Sequence, residues 1–494
     1  MPRNKIFRPT LPPFVKILPL VVVGIVVGGA VDIRWRVAAI GALICAVVAV
    51  VVNKRRPLAD IYAGVAIVLA AMATTTLRTT PTDLPYDQRT ICTATITSIP
   101  TLQGHRHRCE ARVECEGKVR KVELHADTAL HARLGEKVAL RTTLRKMPEG
   151  SYGRLMERRG VSGRCYVDRA EDWAVINEHS GGPSLAAVRA QEWMLRRFNR
   201  LGLTGDTEAV CKAMAFGHKG EMSQKLRINY SRAGASHLLA ISGLHVGIVA
   251  MLVWAFCVLM PLAGRRGHIW RNVVCSVVMI GYALATGASP SVVRATLMFC
   301  IAQVALAEGG GRSTLNILCG ALAVMLLANP NNLYDVSFTL SAVAVGGILI
   351  GYEPLMDRVQ TKWRGVNWVW GVVIVGLCST LATLPLVANT FGVVSLVGVV
   401  LNPVVILTAN VIVLGSIVWV LLPWEPLSGI VRAIVGGAAE LQNRCVEVVS
   451  SWEWSAVEVS LPDWLTAVCY VAVAVLIAML PAIKNEKRIW KEKR

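Results

Sequence analysis

The sequence is poor in charge. Only 17% of its 494 residues are charged, whereas 54% are hydrophobic, and the mean hydropathy is +0.51. Soluble globular domains carry about 25% charged residues, so the composition excludes an ordinary soluble protein and indicates a membrane protein. Acidic residues are scarcer than basic ones, 32 against 52, which gives a formal net charge of +20. This excess suggests a polyanionic partner or an anionic lipid surface, without choosing between them.

The few charges are unevenly placed. Of the 84 charged residues, 45 lie between Arg78 and Ala235, and 27 of those 45 are basic. We therefore expect one basic soluble segment inserted into a membrane protein. The chain divides into a three-span membrane segment (1–77), a soluble domain (78–180), amphipathic interfacial helices (181–235), a membrane channel domain (236–483) and a basic tail (484–494).

The chain also lacks the short motifs of several site classes. Its 13 cysteines include no C-x-x-C pair and no zinc-ligand spacing. No segment resembles a P-loop, so energy for any transport must come from elsewhere. Four cysteines of the soluble segment, Cys92, Cys109, Cys115 and Cys165, could pair if they face an oxidising compartment. Their connectivity stays open, because sequence does not determine it.

Long apolar stretches predict the membrane spans. Three lie at 14–31, 37–52 and 58–77, and eight more at 238–262, 273–286, 292–307, 315–327, 336–350, 366–388, 396–422 and 465–482. We expect about ten to twelve spans, because the stretch at 396–422 contains Asn402-Pro403 and could be a hairpin or a broken helix. Basic residues at both ends place both termini in the cytoplasm of an inner membrane protein and the soluble domain outside.

The soluble segment has the pattern of short β-strands. Strands are predicted at 91–99, 118–125, 137–144, 165–167 and 173–176. About five strands with glycine turns favour a small barrel, and we expect an OB-like fold. From Leu185 to Leu203 the periodicity becomes helical, and Arg189, Arg196, Arg197 and Arg200 lie off the apolar face. This pattern predicts a basic amphipathic helix on the membrane surface.

Polar groups inside the apolar region are candidates for a transport site, because burying them in hydrocarbon is costly. The candidates are His237, Ser242, Gly243, His245, Ser289, Pro290, Arg294 and Asp335. On a helix, Ser242 and His245 would share a face. Ser289-Pro290 predicts a helix start, which places Arg294 about one turn into an apolar span.

These residues admit several interpretations. They could line a hydrophilic pathway, or they could serve helix packing, with Arg294 neutralised by Asp335. A hydrolase that uses Ser242, His245 and Asp335 is a further hypothesis, although no nucleophile turn supports it. A zinc site at His237 and His245 is weaker, because their separation of eight residues is not a usual helical ligand spacing.

Six cations crowd one candidate hairpin of the soluble segment. They are Arg106, Arg108, Arg112, Lys118, Arg120 and Lys121. A positive stripe on a small barrel suits binding to the backbone of a nucleic acid. Few aromatic residues lie among these cations, so a solvated strand edge explains the cluster equally well.

Several blocks of sequence resemble the ComEC family of competence proteins. They are Gly220-Glu221, 233–245 (AGASHLLAISGLH), 287–295 (GASPSVVRA), 333–341 (LYDVSFTLS), 382–385 (ATLP) and Phe391-Gly392. The soluble segment resembles the family's N-terminal domain at 135–138 (GEKV) and 159–163 (RGVSG). The resemblance implies an inner-membrane channel that passes single-stranded DNA into the cytoplasm during natural transformation. It also implies a periplasmic DNA receptor, a separate nuclease and a cytosolic motor or strand-binding protein as partners.

One departure from the family bears on enzyme activity. Longer members add a metallo-β-lactamase-like nuclease domain whose metal site needs an HxHxDH cluster. All nine histidines here lie at or before His268, and the one HxH, His105-Arg-His107, lacks the aspartate. We therefore expect no enzyme activity, no metal and no cofactor. The alternatives left open are a permease for a small or lipid-linked substrate and a membrane-embedded hydrolase that uses Ser242 and His245.

Overall fold

The computed structural model describes residues 12–31, 33–52, 56–79, 85–103, 106–115, 117–130, 133–150, 153, 156–157, 160–177, 183–239, 241–259, 264–307 and 313–470. His105 and the basic tail at 484–494 lie outside these ranges. The chain forms two compact units. The first comprises Met1–Ser223, His237–Ala342 and Thr408–Glu440, and the second comprises Gln224–Ser236, Val343–Leu407 and Leu441–Arg494.

Three apolar helices open the first unit: α1 (Pro13–Ala30), α2 (Trp35–Val51) and α3 (Arg56–Thr79). The α1 and α3 helices pack closely because small residues face each other. A Cβ atom at Gly24 of α1 would overlap the carbonyl oxygen of Val68. Small residues that let helix backbones approach are typical of helix packing in membranes.

The soluble segment forms one sheet of seven strands. They are β1 (Arg89–Ile96), β2 (Thr101–Gln103), β3 (Arg106–Cys115), β4 (Lys118–Asp127), β5 (Lys137–Thr143), β6 (Val161–Val167) and β7 (Trp173–Asn177). The strand order is β6-β4-β3-β1-β5-β7, with β2 paired to β3. Alternate residues such as Ala94, Val113, Leu124 and Leu140 are fully buried in its core. The period of two predicted five of these strands, β1 and β4 to β7, because one sheet face covers a core. The strands β2 and β3 were not predicted.

The sheet curls on itself. Strand β6 pairs parallel with β4, and β1 pairs antiparallel with both β3 and β5. A bridge between Arg145 and Arg164 then connects the chain just after β5 to β6. The sheet therefore forms a curled half-barrel.

Two of its four cysteines form a disulfide. Cys92 of β1 and Cys115 of β3 are bonded, and their Cα atoms lie 4.9 Å apart. Cys109 and Cys165 are free and buried. Burial, with the nearby Glu110 carboxylate, raises the pKa of the Cys109 thiol to about 12, so this thiol stays protonated and unreactive.

Three helices lead from the sheet to the apolar region: α4 (Pro183–Asn199), α5 (Gly205–Phe216) and α6 (Gln224–Arg232). The α4 helix is amphipathic as predicted, since Leu195 and Phe198 are buried and Arg196 is exposed. The α5 helix differs from the predicted interfacial type. All its residues from Ala209 to Phe216 are buried, and a helix buried on every side belongs to a protein interior.

Eight further helices complete the described chain. They are α7 (Gly243–Leu259), α8 (Gly264–Ala285), α9 (Pro290–Ala307), α10 (Thr314–Ala328), α11 (Val336–Val359), α12 (Arg364–Phe391), α13 (Gly398–Leu421) and α14 (Ser428–Ser450). In the second unit, the short strands β8 (Val393–Ser395) and β9 (Ala456–Glu458) pair antiparallel.

The apolar helices confirm a helical membrane protein. Within the described ranges, five helices (α1, α3, α11, α12 and α13) are long and apolar enough to cross a membrane, and five shorter apolar ones (α2 and α7 to α10) accompany them. The total of ten to twelve spans stays a prediction, because most of the expected span at 465–482 lies outside the described residues. The stretch at 396–422 is neither a hairpin nor broken. It forms the continuous helix α13, which tolerates Pro403 near its start.

Candidate functional site

Ser242 and His245 form a helix cap at the start of α7. The backbone N–H of His245 donates to Ser242 Oγ at 3.4 Å, and the backbone N–H of Ser242 donates to His245 Nδ1 at 3.3 Å. This is a capping box in which an imidazole replaces the usual glutamate. Because Nδ1 accepts a hydrogen bond, the ring proton is assigned to Nε2. The serine hydroxyl is thus an acceptor for backbone, which is not the arrangement of a nucleophile activated by histidine.

His237 does not share this helix. It lies in a separate 3-10 turn, Ser236–Leu239, and is exposed, whereas the His245 side chain is 0% exposed. The sequence prediction treated the two histidines as one helical segment. The helix instead begins at Gly243, because Ser242 caps it there. The two rings therefore lie in different environments.

Arg294 is buried one turn into α9. The chain leaves α8 through Gly287 and Ala288, which both adopt positive φ (84° and 47°), and enters α9 at Pro290. Proline at the first helical position is favoured, because its missing N–H would lack a partner there anyway. The Arg294 side chain is 4% exposed, and its Nε and Nη1 atoms have no hydrogen-bond partner in the described structure.

Gly243 brings the start of α7 next to Arg294. A Cβ atom at position 243 would lie 3.3 Å from Arg294 Nη2 and 3.8 Å from the Cβ of Ala295. The starts of α7 and α9 are therefore neighbours. The start of α11 joins them, because Ser341 Oγ donates to Ser291 Oγ at 3.2 Å.

Asp335 caps α11. Its Oδ1 accepts hydrogen bonds from the backbone N–H groups of Ser337 (2.8 Å) and Phe338 (3.2 Å). The sequence suggested that this carboxylate neutralises Arg294. None of the ion pairs between described residues includes Arg294, and the Asp335 oxygen serves the helix N-terminus, where a carboxylate is stabilised by the helix dipole.

These residues together form a set of hydrogen-bond donors within apolar helices. The unpartnered buried atoms include His245 Nε2, Ser289 Oγ and two nitrogens of Arg294. A guanidinium and a protonated imidazole nitrogen offer no lone pair to a metal ion. Within the described part of the chain, no group of three or more His, Cys, Asp or Glu side chains is placed to hold a metal. The arrangement suits an anion.

Three of the six sheet cations are paired with carboxylates. Arg106 pairs with Asp168 at 2.9 Å, Lys121 pairs with Glu110 at 2.6 Å, and Arg108 pairs with Glu123. The guanidinium of Arg120 donates to the carbonyl oxygen of Val119. Arg112 and Lys118 are exposed. The cluster is therefore not an unbroken positive stripe.

Glu123 is the centre of this network, which the sequence did not reveal. Its carboxylate is buried and also contacts Arg164 Nε and His125 Nε2, each at 3.1 Å. Burial alone would raise the pKa of Glu123, but the hydrogen bond from His125 and the charges of Arg108 and Arg164 outweigh burial and lower it to about 2. Arg108 and Arg164 lie on β3 and β6, so no local spacing could predict their contacts with Glu123, whereas His125 lies two residues from Glu123 on the same strand.

Two further groups were missed. Tyr166 of β6 stacks on His125, with ring centroids 4.8 Å apart, and the Arg106 guanidinium lies 5.4 Å from the Tyr166 ring centroid. In α5, Lys212 is 3% exposed and its Nζ contacts Glu208 at 2.8 Å and Glu221 at 2.6 Å. The spacing of Glu208 and Lys212, four residues on a helix, could have indicated this pair.

The chain is similar to known competence proteins. A family model described as "Competence protein" matches residues 214–483. Over 201 residues the chain is 29% identical to "ComE operon protein 3" of Bacillus subtilis, an alignment that covers 40% of this chain and 24% of that protein. It is also 29% identical over 290 residues to "Competence protein ComA" of Neisseria gonorrhoeae, covering 57% of this chain and 39% of that protein.

A third relative carries no function in its name. The chain is 23% identical over 286 residues to "Uncharacterized protein YcaI" of Escherichia coli, covering 53% of this chain and 36% of that protein. The chain thus matches less than half the length of each of these relatives. No solved structure matches it.

Proposed function

This chain belongs to the competence protein family of ComEC type, and from that premise we propose that it is the inner-membrane channel through which single-stranded DNA enters the cytoplasm. Its match to the family model covers 270 residues, more than half of the chain. One of its relatives carries competence in its printed name, "Competence protein ComA", and another is "ComE operon protein 3". The proposal requires a route for a polyanion through apolar helices.

The observation that carries the proposal is the unneutralised charge of Arg294. Five charged side chains are buried among the described residues: Glu123, Glu136, Lys212, Arg294 and Asp335. Glu123 and Lys212 form ion pairs, and Glu136 and Asp335 accept backbone hydrogen bonds. The Nε and Nη1 atoms of Arg294 have no such partner among the described residues. Buried cations in membrane helices mark ion and substrate pathways, and arginine is a residue of anion and phosphate pores.

The curled sheet fits a role outside the membrane. Strand β1 pairs with two neighbours and β4 runs parallel to β6, as in an OB-type barrel, a fold that binds single-stranded nucleic acids. The Cys92–Cys115 disulfide supports an oxidising compartment for this domain. We place the barrel on the outer side, where it would receive the strand from a DNA receptor. A separate nuclease would remove the other strand.

Gene deletion and complementation test this function. In a naturally competent host, deletion should abolish transformation, and the wild-type gene should restore it. Arg294→Gln should fail to restore it, whereas Arg196→Gln, which removes an exposed arginine of α4, should succeed. Normal transformation in the deletion strain would contradict the proposal. A permease of small substrates would give that result and would instead show a growth or uptake defect for its substrate.

A further inference from the structure

We propose that the starts of α7 and α9 form a binding site for a single phosphate-type anion, built from Arg294, His245 and Ser289. The occupant would be one phosphodiester group of the passing strand, an assignment that rests on the proposed function. The anion chemistry itself is independent of that function, because it follows from the donors that the fold buries.

The donors are left without acceptors. His245 Nε2, Ser289 Oγ and Arg294 Nε and Nη1 are buried, and none has a hydrogen-bond partner in the described structure. A buried donor without an acceptor loses its hydrogen bonds to water without compensation, and the cost is larger when the donor is charged. Most buried polar atoms in native proteins are paired, so several unpaired donors at neighbouring helix starts call for an explanation. A ligand that supplies only acceptors provides one.

The backbone around these donors favours negative charge as well. The first turn of an α-helix offers N–H groups without intrahelical partners and a positive partial charge. Two helices, α7 and α9, begin here side by side. The start of α11 does not contribute, because Asp335 already accepts from two of its first-turn N–H groups. In α7 the capping box uses the N–H groups of Ser242 and His245, so α7 contributes the positive end of its dipole rather than these two donors. The ligand therefore meets the positive ends of two helices and one guanidinium.

The residue types fit phosphate in particular. Arginine presents parallel N–H groups whose spacing matches two oxygens of a phosphate or a carboxylate. Gly243 has no side chain, and this leaves Arg294 Nη2 next to the first turn of α7. Gly287 and Ala288, just before Ser289, are exposed, so the turn that precedes α9 is accessible.

Thermal unfolding of the purified full chain in detergent tests the site with inorganic phosphate as the probe. At equal ionic strength, phosphate should raise the melting temperature relative to chloride in the wild type. Ser289→Ala should lose most of this rise and weaken phosphate binding about tenfold. It should not lower the melting temperature in chloride, because the hydroxyl has no partner within the described protein to lose.

Ser291→Ala is the matched control, two residues further along α9. Its hydroxyl contacts Ser341, so its loss should lower the melting temperature in chloride and leave the phosphate-induced rise unchanged. Arg294→Gln should abolish the rise. A wild-type protein that phosphate does not stabilise, or Ser289→Ala and Arg294→Gln proteins that keep the full rise, would overturn the site.

Two further probes identify the natural source of the phosphate. A short oligothymidylate with natural linkages should displace phosphate, and the same oligomer with uncharged methylphosphonate linkages should not. Equal displacement by both oligomers would overturn the phosphodiester assignment. So would stabilisation by phosphatidylglycerol nanodiscs together with no effect of the oligomer, because the site would then hold a lipid headgroup.

The transformation assay separates this inference from the proposed function. If the deletion strain transforms normally while phosphate still stabilises the wild-type protein, the function is wrong and the anion site stands. If Arg294→Gln blocks transformation while phosphate has no effect on the wild type, the anion site is wrong and the function stands.

Discussion

The sheet and the apolar helices differ in whether a buried charge is paired with opposite charges. In the sheet, Glu123 is 1% exposed and contacts three basic side chains. In the apolar helices, Arg294 is 4% exposed, and two of its three guanidinium nitrogens lack hydrogen-bond partners within the part of the chain that the structure describes. Both groups are buried away from water, which costs free energy. Only the charge of Glu123 is compensated by opposite charges among the described residues.

This difference distinguishes buried charges that stabilise the fold from buried charges that serve function. Removing one member of a buried, paired network leaves the other members uncompensated, and typically costs about 3–5 kcal/mol. Removing a buried charge that has no partner relieves desolvation instead. Residues kept at a cost to stability are characteristic of functional sites. The comparison therefore predicts which buried charges stabilise the fold and which serve transport.

Glu123→Gln should produce the largest loss of stability. The substitution keeps the side-chain size but leaves the buried ends of Arg108 and Arg164 without a counter-charge, so the sheet should lose about 3–5 kcal/mol of unfolding free energy. Limited trypsin digestion of the full chain, followed at the sheet, measures this. Unchanged digestion would show that these ion pairs contribute nothing.

The pH dependence provides a second measurement of the same network. The pKa of Glu123 is lowered from an ordinary 4.5 to about 2, so its contribution is fully present above about pH 4.5 and is lost as the pH falls towards 2. The wild-type sheet should become more susceptible to an acid-active protease such as pepsin across this range. Glu123→Gln should remove this part of the acid dependence.

The disulfide should have the next largest effect. Cys92 and Cys115 are 23 residues apart in sequence, and closing a loop of this length stabilises by about 3 kcal/mol in the chain-entropy estimate. Replacing both by alanine should accelerate proteolysis of the sheet, and adding reductant to the wild type should do the same. Cys109→Ala, at a free buried cysteine, is the control that should leave the response to reductant intact.

Local patterns predicted much of this fold. The alternation at 118–125 corresponds to β4, and the basic amphipathic pattern after Leu185 corresponds to α4. These predictions succeed because both periods are set by neighbouring residues. The α14 helix was missed, because Arg432, Glu440, Arg444 and Glu447 interrupt its apolar residues and hide it from a search for long hydrophobic runs.

The sequence predicted which residues belong to the candidate site but not which contacts they make. Blocks of sequence identified His245, Ser289 and Arg294, yet they also suggested that Asp335 neutralises Arg294. Whether a carboxylate pairs with a cation or caps its own helix depends on where α11 begins, and spacing alone did not reveal this. Likewise, the contact of Arg164 with Glu123 joins residues 41 positions apart.

Arg294→Gln should change stability little. Two of its three guanidinium nitrogens are buried without a hydrogen-bond partner among the described residues, so the neutral amide should alter the unfolding free energy by less than about 1 kcal/mol, or raise it. Lys212→Gln is the matched comparison, because Lys212 is equally buried but contacts two glutamates. It should destabilise the protein by about 3 kcal/mol. Equal losses in the two variants, measured by thermal unfolding in chloride, would refute the distinction between paired and unpaired charge.

The smallest effect should appear in the salt dependence of DNA binding to the sheet. If all six cations contacted phosphates of a single strand, log K would fall with log salt at a slope of about 4, since each neutralised phosphate contributes about 0.7. At least three of the six are paired with carboxylates, so we expect a slope of no more than about 2. Glu110→Gln should free Lys121 and raise the slope by about 0.7, which is roughly a threefold change in affinity for a fourfold change in salt.

Fluorescence anisotropy of labelled oligothymidylate on the full chain, in the Arg294→Gln background, isolates the sheet's contribution. A slope near 4 in the unmodified sheet would mean that DNA displaces the carboxylates, and the sheet charges would then belong to function as much as Arg294 does.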